Sequence, residues 1–86
     1  SKTSAHLDGF AADFTSPRFG SPEVIVRTLK RHGLKCDQCI MEGGVNGGWV
    51  HISFAPAMRN QFLTIFKPQN KYVSGVLTEQ EYSEQV

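Results

Sequence analysis

Long hydrophobic runs and an excess of one charge are both missing from this sequence. Its apolar runs are only a few residues long, well short of the ~20 residues that a membrane-spanning helix needs. Nine Lys and Arg residues are balanced by eight Asp and Glu residues, and no basic stripe is interleaved with aromatic residues. We therefore expect neither a membrane span nor a nucleic-acid partner, and we predict a monomer.

Cysteine is scarce, since the chain has only Cys36 and Cys39. One Cys-x-x-Cys pair without a second Cys or His pair nearby is half of a structural zinc site. A redox pair would be expected at the start of a helix that follows a strand. Both cysteines are therefore interpreted as small apolar residues that enter a strand.

The chain is short enough to form one domain. Its 86 residues bury a limited core, so a bound metal would add appreciably to its stability. Only three residues precede Ser4, which opens the first motif described below. We expect that residues of the full-length protein are missing upstream.

The first half of the sequence predicts a strand, a helix and a hairpin. Alternating apolar residues favour a strand over residues 10–14. Ser21 is typical of an N-cap and Gly33 of a helix end, so a helix is expected between them. Residues 37–42 and 49–55 are predicted to be two strands joined by a glycine-rich segment.

The second half predicts shorter elements. Residues 61–66 are expected to be an edge strand or a turn-linked segment, and residues 71–74 a further strand. Thr78 and Glu81 have the spacing of a capping box, which predicts a short helix from about Glu79. Together these elements predict an α+β fold, a small antiparallel sheet with a helix packed on one face.

A hairpin register follows from the glycine-rich segment and sorts the side chains into two faces. The simplest pairing puts Glu42 opposite Trp49 and Ile40 opposite His51. One face is apolar and is predicted to lie under the helix: Phe10, Ala12, Phe14, Cys39, Met41, Val50, Ile52 and Phe54. The other face is predicted to collect the polar groups: Asp13, Glu42, Trp49, His51 and Ser53.

Three side chains offer a metal site on the polar side of the sheet. His6, Asp13 and His51 supply two imidazoles and a carboxylate. Three protein ligands that leave a fourth position open are typical of catalytic zinc, which acidifies a bound water to a pKa of about 7. Taken singly, each of these residues is more typical of a structural role in a loop or strand.

Other residues would complete such a site. Glu42 shares a face with His51 in the expected register, so it is the candidate general base. Ser4 and Ser53 are interpreted as hydrogen-bonding neighbours, because no base and orienting acid are arranged around either hydroxyl.

The order and spacing of these residues resemble a known family. The matching blocks are Ser4-x-His6-x-x-Gly9-x-Ala11-x-Asp13, then Ile40-Met41-Glu42, then Trp49-Val50-His51-Ile52-Ser53. In this order they closely resemble the zinc D-Ala-D-Ala carboxypeptidase family of peptidoglycan peptidases. That family shares its fold with the hedgehog signalling domain and includes phage endolysins that cut the L-Ala to D-Glu bond. The similarity extends to about Leu63 through Arg59-Asn60-Gln61.

The resemblance implies a hedgehog/DD-peptidase-like fold with a zinc site on the sheet face opposite the helix. The zinc ligands that it implies are His6, Asp13 and His51. It also implies that Glu42 is the general base and that Trp49 shapes the cleft wall. The implied activity is hydrolysis of peptidoglycan stem peptides, by a D-Ala-D-Ala carboxypeptidase or a cell-wall endopeptidase. The implied location is the periplasm, the cell exterior or a phage lysis system.

Two features depart from the family pattern. Several members have an acid three residues before the last His, where this sequence has Gly48, so the base either comes from Glu42 or is absent. Members usually have an Arg upstream of the first His that binds a substrate carboxylate, and that position would precede Ser1.

Two other functions are open from the residues. A non-catalytic zinc-bearing recognition domain of hedgehog type would use the same ligands, although it has no need for Glu42. A non-haem iron oxygenase also uses two His and one carboxylate, but 86 residues are few for the double-sheet barrel that such sites occupy.

Overall fold

The computed structural model describes residues 9–44 and 47–86. Its elements are β1 (Phe10–Phe14), α1 (Pro22–Arg31), β2 (Gln38–Gly43), β3 (Trp49–Phe54), β4 (Gln61–Phe66), β5 (Val73–Ser74) and α2 (Glu79–Gln85). Every predicted helix and strand is present, and most bounds agree within one or two residues. Ser4 and His6 lie outside the described residues, so their predicted roles stay predictions.

The five strands form one mixed sheet in the order β1-β3-β2-β4-β5. The predicted hairpin register is confirmed, with Glu42 opposite Trp49 and Ile40 opposite His51. The prediction of an antiparallel sheet is wrong at one pair, because β2 and β4 run parallel. The prediction of β4 as an edge strand is also wrong, since β4 lies between β2 and β5. The reason is that the chain leaves β3 where β2 begins, crosses that end of the sheet and starts β4 in the direction of β2.

Contacts with the start of β2 hold this crossing in place. Arg59 donates from Nε to Asp37 Oδ1 and from Nη2 to Asp37 Oδ2, each at 2.8 Å. The Cys36 N–H donates to Asn60 Oδ1 at 3.2 Å, and the Asn60 N–H donates to the Cys36 carbonyl at 2.8 Å. Asn60 has a φ of 58°, in the left-handed region that Asn tolerates better than most residues. These contacts keep the start of β4 beside the start of β2.

The apolar core lies between the sheet and α1. The Ser21 hydroxyl accepts a hydrogen bond from the Val24 N–H at 3.4 Å and caps the helix as predicted. The buried core residues are Ile25, Val26, Cys36, Cys39, Met41, Val50, Phe62 and Val76. Phe14, Ile52 and Phe54 pack against them from the margin. The predicted apolar face is therefore confirmed over most of its length.

Phe10 is the exception on that face. Its side chain is 56% exposed, and its ring centroid lies 6.5 Å from that of Phe54. Phe10 is the first residue of an edge strand, so α1 does not cover it. The prediction that Phe10 lies under the helix is wrong.

The second helix packs on the same face as α1. The predicted capping box is present, with the Glu81 N–H donating to Thr78 Oγ1 and the Thr78 N–H donating to Glu81 Oε1. Tyr82 is fully buried, and its ring centroid lies 5.1 Å from that of Phe66, which itself packs on the core. Within the described ranges, no helix has the length and apolar character to cross a membrane. The other sheet face has no helix over it in the described part of the chain.

Candidate metal centre

Asp13 and His51 meet directly across the pair formed by β1 and β3. They are register partners, so both side chains project from the face that the helices leave open. His51 Nδ1 lies 2.7 Å from Asp13 Oδ1, which is hydrogen-bond distance. The His51 side chain is 27% exposed and that of Asp13 is 61% exposed. The carboxylate therefore reaches solvent beside a partly covered ring.

Glu42 brings a second carboxylate to this pair. It lies on β2, on the other side of β3, and is half-buried. One ligand atom from each of Asp13, Glu42 and His51 lies within 4.8 Å of the other two. We call these three residues the acid–His cluster. Its central member, His51, lies on the strand between those that supply the two carboxylates.

Two members of the acid–His cluster, Asp13 and His51, offer donor atoms of the kinds that bind zinc. Imidazole nitrogen and carboxylate oxygen both bind zinc, at about 2.0–2.2 Å. Two such ligands of a tetrahedral ion lie roughly 3.3 Å apart, so the 2.7 Å separation of His51 and Asp13 would open by a few tenths of an ångström. The exposed Asp13 side chain has room for this movement. Nδ1 must be unprotonated to bind metal, so the ring proton would move to Nε2.

The backbone at Gly48 leaves no room for a side chain at that position. Gly48 has a φ of 77°, which side-chain-bearing residues rarely adopt. A Cβ atom built on Gly48 would collide with the carbonyl oxygen of Glu42. An acidic residue at position 48 would therefore disturb the strand end that presents Glu42. Among the described residues, two acids lie beside His51. Asp13 contacts the Nδ1 atom of the ring, and Glu42 is the second acid of the cluster.

No match is found among known protein families, curated proteins or solved structures.

Trp49 and Ser53, two further predicted site residues, lie on β3 with His51. Trp49 is 37% exposed and is the register partner of Glu42. Ser53 accepts a hydrogen bond at its Oγ from the Gln38 N–H at 3.1 Å. This hydroxyl therefore fixes the start of β2 against β3, two residues from His51. Its predicted role near the metal stays a prediction, as do the roles of Ser4 and His6, which lie outside the described residues.

A trough beside the acid–His cluster was not predicted from the sequence. This cavity has a volume of about 340 Å³ and is lined by Gln38, Ile40, Glu42, His51, Leu63 and Tyr72. The parallel pairing of β2 and β4, which puts Leu63 next to Ile40, creates its floor. Two larger cavities flank α1 elsewhere, but neither includes a residue of the cluster. The apolar residues of 61–66 could have indicated a strand inside the sheet. The trough was not predicted because that segment was expected at the edge.

The two cysteines are buried and have free thiols. Burial, with a smaller contribution from the neighbouring Cys36, raises the pKa of Cys39 to about 12. Burial also raises the pKa of Cys36. Both thiols therefore stay protonated near neutral pH, whereas a metal ligand or a reactive cysteine must be a thiolate. The prediction that they act as small buried apolar residues is confirmed.

Proposed function

We propose that this chain is a zinc-dependent metallopeptidase that hydrolyses peptidoglycan stem peptides, as a D-Ala-D-Ala carboxypeptidase or a cell-wall endopeptidase. The observation that supports it most is the acid–His cluster on the open face of the sheet. The three residues of this cluster, Asp13, Glu42 and His51, belong to the motifs whose order resembles that of the zinc peptidases of the cell wall. The substrate would place the protein in the periplasm, outside the cell or in a phage lysis system.

Asp13 and His51 hold the metal in this proposal, together with His6. A zinc ion bound there supplies Lewis-acid activation of water near neutral pH. Without metal, the His51 ring is oriented by its hydrogen bond with Asp13. This contact positions Nδ1 before binding, so less side-chain freedom is lost when the ligands assemble.

Glu42 is the general base in this proposal. Its carboxylate takes a proton from the attacking water and delivers that proton to the leaving amine. Glu42 suits this step because it approaches His51 from the strand opposite Asp13. Glu42 would therefore be free for proton transfer while Asp13 would hold the metal.

Two variants separate metal binding from proton transfer. Glu42→Gln is expected to keep the fold and the zinc but to lose cleavage, because an amide cannot accept the proton. His51→Ala is expected to lose both zinc and cleavage. Glu84→Gln, an exposed position on α2, is the matched control and should behave like the parent. The measurements are zinc content by mass spectrometry of the metal and turnover of purified muropeptides.

Three results would contradict the proposal. Cleavage at the parent rate by Glu42→Gln would remove Glu42 as the base. Bound zinc with no cleavage by the parent protein would favour a recognition domain of hedgehog type. Iron in place of zinc after aerobic purification would contradict the metal assignment.

A further inference from the structure

The trough beside the acid–His cluster has an apolar floor. Ile40 is the register partner of both His51 on β3 and Leu63 on β4, so the three side chains share the open face. Ile40 is only 4% exposed and Leu63 is half-buried. An apolar floor this close to polar groups is typical of ligand pockets, in which a few polar groups fix the orientation of the ligand.

Tyr72 borders this floor on the side of β5. It lies in the segment before that strand, lines the trough and is 61% exposed. Glu42 and His51 line the trough, and its other described lining residues are uncharged. An anionic ligand side chain over Ile40 and Leu63 would lose hydration close to the Glu42 carboxylate. A cationic side chain would lose hydration without a partner once Glu42 is changed to Gln, so both are costly.

Gln38 lines the other end of the trough, and its partner Gln61 lies beside it, outside the lining of this cavity. Gln38 and Gln61 are register partners, and Gln38 Nε2 donates to Gln61 Oε1 at 3.0 Å. This bond leaves the Gln38 Oε1 as an acceptor and the Gln61 Nε2 as a donor. A neighbouring acceptor and donor match the N–H and C=O groups of a peptide backbone.

The length of the trough suits a short extended peptide. Gln38 and Glu42 are four residue steps apart on β2, a distance of about 13 Å at ~3.3 Å per residue. An extended segment of about four residues covers the same distance. The volume of about 340 Å³ lies near the lower end of the range for ligand pockets, so a larger folded partner does not fit.

We propose that this trough binds about four substrate residues in extended conformation and selects a small apolar side chain at the one position over Ile40 and Leu63. The side chain over Ile40 and Leu63 is small and apolar, the Gln38–Gln61 pair binds the peptide backbone, and Tyr72 is a specificity-determining wall. The identification of the ligand as a peptide substrate rests on the function proposed above.

Peptide affinity measured without turnover tests the trough. The zinc-loaded Glu42→Gln protein is titrated calorimetrically with N-acetyl-tetra-alanine amide, in its all-L and all-D forms, and with analogues in which each alanine in turn is lysine. We expect at least one alanine form to bind, and lysine at a central position to weaken its binding at least tenfold. Leu63→Lys in the same background should also weaken binding at least tenfold. Val24→Lys, at a 45% exposed position on α1, is the matched control and should stay within twofold.

Tyr72→Ala guards against a folding defect in Leu63→Lys. Because Tyr72 is exposed, its removal should leave the circular dichroism spectrum unchanged while weakening peptide binding severalfold. Unchanged affinity in both Leu63→Lys and Tyr72→Ala, equal affinity for the lysine peptides or no binding of either alanine form would overturn the trough. Zinc content is measured on every sample. Binding of zinc without binding of peptide would contradict only the proposal that the trough binds substrate. A protein that binds peptide through Leu63 but no zinc contradicts only the metallopeptidase.

Discussion

Arg59 and Asp37 form a two-point ion pair where the chain crosses from β3 to β4. Both N–H···O distances are 2.8 Å, and the Arg59 backbone N–H also donates to Asp37 Oδ1 at 3.1 Å. The Asp37 side chain is only 7% exposed. These hydrogen bonds lower the pKa of Asp37 from 3.8 to about 2. The pair lies at the start of β2, the strand that presents both Glu42 and the floor of the trough.

The first prediction concerns the pH dependence of this pair. Since the pKa of Asp37 is lower in the folded chain, its contribution is fully present above the unfolded value of 3.8 and is lost as the pH falls towards about 2. Arg59→Ala should lower the free energy of unfolding near neutral pH and flatten its decline over that window. Urea denaturation across this pH range measures the effect.

Arg27→Ala is the control for the ion pair. Arg27 forms an ion pair with Glu23 on the surface of α1, where the Arg27 side chain is 46% exposed. Exposed ion pairs contribute little to the free energy of unfolding. This variant should keep the pH dependence of the parent. An Arg59→Ala protein with the same decline as the parent would show that Asp37 does not titrate as described.

The second prediction concerns the hydroxyl of Tyr82. It donates to the Lys71 carbonyl at 2.6 Å and accepts from the Lys71 N–H at 2.9 Å. Tyr82→Phe leaves both groups without this partner, which should cost about 1–3 kcal/mol of unfolding free energy. Tyr72→Phe, at an exposed position, should cost little by the same urea denaturation. Equal losses in the two variants would contradict a specific role for the Tyr82 hydroxyl.

The third prediction concerns the two glycines before β3. Gly47 and Gly48 both have positive φ, but an added Cβ meets nothing within 4 Å at Gly47 and collides with the Glu42 carbonyl at Gly48. Each change to alanine should cost on the order of 1 kcal/mol for the backbone strain. Gly48→Ala should lower the free energy of unfolding by more than that. It should also reduce cleavage, because Glu42 must shift. Thermal unfolding compares the two variants, and equal stability would argue against the close approach.

The fourth prediction concerns Asp13 as a ligand. Because its side chain is 61% exposed, Asp13→Ala should change thermal stability little in the absence of metal. Zinc affinity should fall at least tenfold, since even partners that only orient a ligand are worth about 10–100-fold. Competition with a chromophoric chelator measures the affinity, and Glu84→Ala is the control at another exposed acid. Parent-like affinity in Asp13→Ala would remove it from the ligand set.

Local patterns predicted much of the fold and part of the candidate site. Ser21 and the Thr78–Glu81 box marked helix starts because capping depends on neighbouring residues alone. The two-residue periodicity of strands placed Glu42 and His51 on one face once the hairpin register was chosen.

The parallel pairing of β4 was not predicted because it depends on long-range contacts. Asp37 and Arg59 are far apart in sequence, and neither residue by itself indicates that the chain crosses at that point. Without this crossing, Leu63 could not be placed beside Ile40 or Tyr72 at the trough. The sequence therefore predicted the part of the site that the hairpin forms, and not the part that β4 adds.

The central claim is tested most directly by the products of muropeptide digestion. Purified muropeptides are incubated with the zinc-loaded protein, and the product masses are determined by mass spectrometry. We predict either the loss of a single alanine or the separation of L-Ala from the rest of the stem, and in both cases the reaction stops when a chelator is added. Unchanged muropeptide masses in the presence of zinc, or cleavage that continues in the chelator, would contradict the account.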